Sequence, residues 1–121
     1  MVSKSANYCS TNRTNNTGLL LLCDVALGNT YEATKAEYVE KLAAGFHSTK
    51  GVGRTAPDPA GVKELDGARV PSGCGVKDSK LKTDLLYNEY IVYDVAQVNI
   101  LKILPGNKLF FLRSSANISS G

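Results

Sequence analysis

The chain has 121 residues, of which 43% are hydrophobic and 21% charged, a composition that is typical of a globular protein and excludes a disordered or fibrous chain. This length predicts one domain at most, with a core of limited size. The net charge of +3 mildly favours an anionic ligand or partner. Because the lysines and arginines are scattered from Lys4 to Arg113 without a dense run, a dedicated nucleic-acid surface is disfavoured.

The cysteines and the histidine restrict the kinds of site that the chain can form. Cys9, Cys23 and Cys74 are odd in number and have no CxxC or CxxH spacing, which argues against a disulfide framework or a zinc site and favours a reducing compartment. His47 is the only histidine, so most histidine-based metal sites are excluded. The sequence has no apolar run of the roughly 18 residues that a membrane span needs, and Met1 is not followed by a signal-peptide pattern.

The amino-terminal part of the chain contains three segments with a recognisable pattern. Residues 3–9 can form a short helix that begins at a serine N-cap. Residues 18–27 are almost wholly apolar and favour a core strand, although their leucines also allow a helix. Residues 34–42 have helical spacing, with Thr34 and Glu37 at the positions of a capping box, and are predicted to form a helix.

The rest of the chain is rich in turn residues and short apolar runs. Residues 45–59 predict a long surface loop, and residues 65–68 a tight hairpin turn. After a turn-rich segment at 70–83, strands are predicted around Glu89, at 99–104 and at 109–112. The predicted fold class is therefore α+β, mostly antiparallel β-sheets with short helices.

Glu89 is unusual because it interrupts a run, residues 87–94, that otherwise has the composition of a buried strand. In a strand, Glu89 projects to the same face as Tyr87, Ile91 and Tyr93. Burying an unpaired carboxylate costs several kcal/mol on an order-of-magnitude scale. Either the strand lies at a sheet edge and Glu89 is solvated, or the carboxylate has a function.

Several separated motifs occur in a characteristic order: SKSANYC at 3–9, VALGN at 25–29, HSTKGVGRTAPDP at 47–59, LLYNEYIVYD at 85–94 and AQV at 96–98. Together they closely resemble the C-terminal half of the catalytic domain of poly(ADP-ribose) polymerases. The resemblance extends over about residues 1–99 and is nearest to the nuclear, DNA-damage-responsive members. It implies a partial ADP-ribosyltransferase fold, with a nucleotide pocket between two antiparallel sheets.

The resemblance also implies a reaction, in which ADP-ribose is transferred from NAD to a protein side chain or a growing ADP-ribose chain and nicotinamide is released. Glu89 matches the family's catalytic glutamate, and Lys4 a lysine beside it on the acceptor side. Ser5 matches the serine that hydrogen-bonds the nicotinamide amide, and Tyr8 the tyrosine that stacks on its ring. The implied partners are NAD, protein acceptors and ADP-ribose chains, with DNA bound only through other domains and no membrane; the implied location is the nucleus.

These residue types suit that chemistry. Cleavage of the glycosidic bond to nicotinamide develops positive charge on the ribose, which a fixed carboxylate such as Glu89 stabilises. Ser5 and Tyr8 are one helical turn apart, so both can address one ligand. Alone, that pair would be read as a surface serine and a half-buried tyrosine, and Lys4 as a solvated charge. The glycines of residues 51–54 favour a flexible loop over a phosphate cradle.

The chain also departs from the family pattern. A His-Gly pair and a second tyrosine of the family's pocket precede the SKSANYC motif, so we expect Met1 to be internal to a longer protein, or a misplaced start, rather than the beginning of a complete enzyme. We expect these residues alone to turn over little NAD; the alternatives are a non-catalytic NAD-binding, ADP-ribose-binding or interaction module, or a chain without a folded function. At the other end Pro105 interrupts the final strand. The expected organisation is a partial catalytic domain at 1–113 and a disordered tail at 114–121.

Overall fold

The computed structural model of the chain describes Thr14, residues 19–105 and residues 112–115. The described residues contain almost no helix beyond two short 3-10 turns, Pro59–Gly61 and Val95–Gln97. The predominance of small, mostly antiparallel sheets confirms the predicted β-rich fold. The strands are β1 (Leu19–Ala26), β2 (Thr30–Ala33), β3 (Ser48–Gly51), β4 (Thr55–Pro57), β5 (Val62–Leu65), β6 (Ala68–Pro71), β7 (Gly75–Lys77), β8 (Glu89–Val92), β9 (Val98–Pro105) and β10 (Leu112–Ser115).

The larger sheet is built around β1 and has the order β5-β6-β10-β1-β9. β1 pairs with β9 in antiparallel and with β10 in parallel orientation, which confirms the predicted core strand. The ladder between β1 and β9 shifts register between Leu22 and Cys23. Val25 in β1 and Ala68 in β6 are the buried hydrophobic side chains described in this sheet, and Ala33 in β2 is a third outside it.

A smaller sheet has the order β2-β3-β8, in which β3 is parallel to β2 and antiparallel to β8. β4 and β7 form a separate antiparallel pair. The prediction of a loop over 45–59 was therefore wrong for β3 and β4. The polar side chains of β3 suggested a loop, but Ser48 is 0% exposed, and its hydroxyl donates a hydrogen bond of 2.8 Å to the Leu27 carbonyl. This hydrogen bond offsets the cost of burying the hydroxyl.

The helix predicted over residues 34–42 was wrong. A helix starting there would need the Thr34 carbonyl to accept from Tyr38, but that carbonyl instead accepts from the Asp84 N–H at 2.9 Å. The Thr83 hydroxyl lies within hydrogen-bonding distance of the same carbonyl, at 2.7 Å. Helical spacing would place Ala36, Val39 and Ala43 on one inner face, but Ala36 and Ala43 are exposed, so this face does not pack against the core. The helix predicted at residues 3–9 lies outside the described residues.

The tight turn predicted at residues 65–68 is confirmed, because it joins β5 to β6 with Leu65 paired to Ala68. Asp66 and Gly67 have φ angles of 49° and 77°. Positive φ at both central residues is the geometry of a two-residue hairpin turn, which Asp-Gly readily adopts.

The carboxyl-terminal strands agree only in part with the prediction. β9 includes the predicted strand at 99–104, and its last residue, Pro105, lies opposite Leu19. β9 is at an edge of the larger sheet within the described residues, where proline is tolerated. β10 overlaps the strand predicted at 109–112 only at Leu112, and the domain boundary at 113 stays a prediction. Within the described ranges, no helix has the length and hydropathy to cross a membrane.

Candidate active site

Glu89 is the first residue of β8 and is partly buried. Within the described residues β8 lies at one edge of the smaller sheet, and it is shorter than the run of 87–94 suggested. Ile91 and Tyr93, which were expected to share a buried face with Glu89, are 45% and 39% exposed. The carboxylate therefore lies at a half-open sheet edge rather than in a closed core.

Two glycines allow the segment around Glu89 to approach β3 closely. Gly51, the last residue of β3, is paired with Glu89 across the ladder. A Cβ at Gly51 would lie 2.9 Å from Glu89 Cγ, and a Cβ at Gly53 would lie 2.2 Å from the backbone carbonyl carbon of Tyr87. Both glycines are buried. The predicted loop is therefore correct for residues 52–54, which join β3 to β4, and wrong for Gly51, which belongs to β3.

The residues just before Glu89 are held by backbone hydrogen bonds. The N–H groups of Arg54 and Thr55 donate to the carbonyls of Leu85 and Leu86, at 3.0 and 2.9 Å. The Gly53 N–H donates to the side-chain oxygen of Asn88 at 2.8 Å. Residues 85–88, which precede Glu89, are thus held by hydrogen bonds to residues 53–55 before β8 begins.

Gln97 holds the other end of β8. Its side-chain oxygen accepts from the N–H groups of Tyr93 and Asp94, at 3.2 and 3.0 Å. Its side-chain nitrogen donates to the carbonyls of Ala26 and His47, at 3.0 and 2.8 Å. One amide group therefore connects the end of β1, the residue before β3 and the residues after β8, which joins the two sheets.

A hydroxyl pair lies along the same face of the small sheet as Glu89. The Thr49 hydroxyl and the Tyr93 hydroxyl are 2.8 Å apart, and Thr49 is buried. Thr49 faces Ile91 in the ladder, two residues along β8 from Glu89. The face that carries Glu89 is therefore polar at both ends, as a face that binds a polar ligand would be.

The opposite face carries a separate ion pair. Lys50 Nζ lies 2.7 Å from the carboxylate of Glu32, whose side chain is 57% exposed. Lys50 pairs with Tyr90 in the ladder, so this ion pair projects away from Glu89. Glu32 is consequently a carboxylate of the same sheet that does not face the candidate site.

Away from Glu89, two groups have shifted acid–base properties. Burial raises the pKa of the Cys23 thiol. A hydrogen bond and the negative charge of Glu37 raise the pKa of Tyr31, and burial adds to the shift. Within the described part of the chain, no three His, Cys, Asp or Glu side chains cluster so as to hold a metal ion.

Of the four predicted site residues, the structure describes Glu89 alone. Lys4, Ser5 and Tyr8 lie outside the described residues, so their convergence on Glu89 stays a prediction. His47 lies in the loop before β3, as expected, and its Nδ1 accepts a hydrogen bond of 3.1 Å from the Asn29 N–H.

Sequence reasoning missed the structural roles of Gly51, Gly53, Asn88 and Gln97. The signal for the glycines was present, because a glycine in a strand commonly marks close approach by another segment. No local pattern indicated Gln97, since its partners are distant in the sequence.

Comparison with known proteins agrees with these motifs. The family model of the poly(ADP-ribose) polymerase catalytic domain matches residues 1–104. Poly(ADP-ribose) polymerase 1 of Gallus gallus is 57% identical over 104 residues, which are 86% of this chain and 10% of that protein. The Drosophila melanogaster polymerase is 57% identical over 101 residues, 83% of this chain and 10% of its own length. Poly(ADP-ribose) polymerase 2 of Arabidopsis thaliana is 50% identical over 106 residues, 86% of this chain and 17% of that protein.

The chain thus spans about 10% of the length of the first two relatives. Within that span, both the family model and the relatives cover Glu89, its strand and the glycines that contact it. The chain belongs to the poly(ADP-ribose) polymerase catalytic domain family.

Proposed function

We propose that this protein is an NAD-dependent ADP-ribosyltransferase that modifies protein side chains and extends ADP-ribose chains, with release of nicotinamide. The observation that carries the proposal is the placement of Glu89, the match to the family's catalytic glutamate. It lies partly buried at the start of β8, opposite a glycine and behind a segment fixed by backbone hydrogen bonds. Preorganisation of this kind is what a carboxylate needs to stabilise a developing charge.

In the proposed reaction, the bond between the nicotinamide nitrogen and the ribose carbon breaks, and its electron pair leaves with nicotinamide. A hydroxyl or another nucleophilic group of the acceptor forms the new bond to that carbon and loses its proton. The Glu89 carboxylate stabilises the positive charge on the ribose, orients its 2′-hydroxyl and polarises the attacking group. We assign the nicotinamide to Ser5 and Tyr8 and the acceptor to Lys4, the residues that match the family's motif.

The same proposal names the partners and the setting. NAD is the substrate, and proteins and ADP-ribose chains are the acceptors. The net charge of +3 is compatible with NAD and ADP-ribose chains, which are anionic through their phosphates. We propose a nuclear role in DNA repair, in which DNA is contacted through other domains of a longer protein.

The test is nicotinamide release from NAD. It uses this chain and a fusion in which the catalytic-domain segment that precedes the matched region in the Gallus gallus relative is joined to Met1. The expected result is release by the fusion that Glu89→Gln reduces at least about 100-fold, since the variant removes the charge that stabilises the transition state. Glu32→Gln is the matched control, because it neutralises a carboxylate on the other face of the same sheet, and it should leave the rate unchanged.

Two outcomes contradict the proposal. Unchanged release after Glu89→Gln would show that this carboxylate is not catalytic. NAD or ADP-ribose binding that survives Glu89→Ala, without nicotinamide release by either protein, would instead indicate a non-catalytic binding module.

A further inference from the structure

We propose that Gly51 is a positioning residue for Glu89, because the space left by its missing side chain is what allows the carboxylate to occupy its place. This inference rests on the proposed catalytic role of Glu89. Gly51 lies in β3, next to the strand of Glu89, and a side chain at this position would collide with Glu89.

Gly51 lies where a glycine is otherwise unfavourable. It ends β3, the middle strand of β2-β3-β8, and is paired with Ala33 on one side and Glu89 on the other. Glycine weakens a strand because it has no side chain to pack and loses more backbone freedom on folding. The φ angle of Gly51 is not in the left-handed region, so backbone conformation does not explain the residue.

Steric room does explain it. Residues directly opposite each other in an antiparallel ladder project to the same face. A Cβ at Gly51 would lie 2.9 Å from Glu89 Cγ, 2.9 Å from Leu85 Cδ1 and 3.5 Å from Glu89 Oε1. The first two distances are about half an ångström shorter than the 3.4 Å at which ordinary contacts begin.

The two close neighbours differ in what their movement does. Leu85 Cδ1 is the tip of an apolar side chain, and a rotation removes it from the contact without moving a charge. Glu89 Cγ is bonded to the carboxyl carbon, so any movement of Cγ displaces the carboxylate. A misplacement of about 1 Å in a catalytic group costs roughly 100-fold in rate. For a displacement of half an ångström or more, we expect a loss on the order of 10- to 100-fold in kcat.

The test is Gly51→Ala in the fusion described above, with kcat and KM for NAD measured separately and thermal stability measured alongside. Ser48→Ala is the matched control, since Ser48 lies on the same strand and projects to the other face. This variant should also destabilise the fold, because it removes the buried hydrogen bond of the Ser48 hydroxyl. We expect Gly51→Ala to lower kcat 10- to 100-fold with KM within about threefold, whereas Ser48→Ala keeps kcat within threefold. We also expect that adding Leu85→Ala does not restore kcat.

The inference is overturned if Gly51→Ala keeps kcat within threefold, or if Leu85→Ala restores it. If Gly51→Ala does not fold, the double variant Gly51→Ala/Glu89→Ala decides, because removal of Glu89 Cγ should restore cooperative unfolding. Failure of that double variant to fold would show that another contact sets the requirement. Loss of activity in Glu89→Gln but not in Gly51→Ala would reject only this inference; activity that survives Glu89→Gln would reject the proposed function itself.

Discussion

The substitution Gly53→Ala should strongly destabilise the fold, because its new Cβ would meet backbone atoms and not a movable side chain. That Cβ would lie 2.2 Å from the Tyr87 carbonyl carbon and 2.5 Å from both Tyr87 Cα and the carbonyl oxygen. To restore an ordinary contact of 3.4 Å, the segment before β8 must move away by more than about 1 Å. Such a movement breaks the hydrogen bond of 2.8 Å between the Gly53 N–H and Asn88.

Two costs add in this variant. Overpacking in a tight site costs about 1–3 kcal/mol, and leaving a buried N–H without its acceptor costs about 1–3 kcal/mol more. We therefore expect the free energy of unfolding to fall by about 2–6 kcal/mol, a large share of the roughly 5–15 kcal/mol of a typical domain. In a chain of this size, that corresponds to a decrease in Tm of about 10 °C or more.

The assay is thermal and urea unfolding followed by circular dichroism, with Gly45→Ala as the control. No atom lies within 4 Å of a Cβ at Gly45, whose φ is +88°, so that variant adds left-handed strain of about 1–2 kcal/mol without a clash. A Gly53→Ala protein whose Tm lies within about 2 °C of the unmodified chain would refute the close approach of Tyr87 and the reasoning built on it.

Gln97→Glu keeps the acceptor oxygen but, when ionised, turns a carboxylate toward the carbonyls of Ala26 and His47. This environment should raise the pKa of the new carboxyl group above the value of about 4.3 that it has in the unfolded chain. The variant should therefore approach wild-type stability below about pH 4.3 and lose stability as the pH rises through the raised pKa. Urea unfolding across a range of pH measures this, and a stability difference that does not depend on pH would contradict the prediction. In a Cys9→Ser background, Cys74 should react with iodoacetamide faster than Cys23 at mildly alkaline pH, because Cys74 is exposed whereas burial raises the pKa of Cys23. Peptide mass mapping measures the two rates, and faster labelling of Cys23 would count against the described burial.

Features encoded by contiguous residues were predictable from the sequence. The apolar run became β1, and Asp66-Gly67 became the two-residue turn between β5 and β6. The motif around Glu89 identified both its strand and the family. In each case, the residues whose pattern predicted the element are the residues that form it.

Features decided by distant partners were not predictable. Thr34 was predicted to begin a helix, but its carbonyl accepts a hydrogen bond from the N–H of the distant Asp84. The polar sequence of β3 suggested a loop, because the partners of its hydroxyls, Leu27 between β1 and β2 and Tyr93 just after β8, are distant in the sequence. The closeness of Gly51 to Glu89 likewise depends on a ladder between segments that are far apart in the sequence.

The measurement that tests the central claim most directly is a crystal structure of the fusion with a non-hydrolysable NAD analogue bound. The account predicts that the nicotinamide amide bonds to Ser5, that its ring stacks on Tyr8, and that the Glu89 carboxylate lies within hydrogen-bonding distance of the adjoining ribose. A ligand bound elsewhere, or Glu89 on a different side of the molecule from Ser5 and Tyr8, would contradict the account.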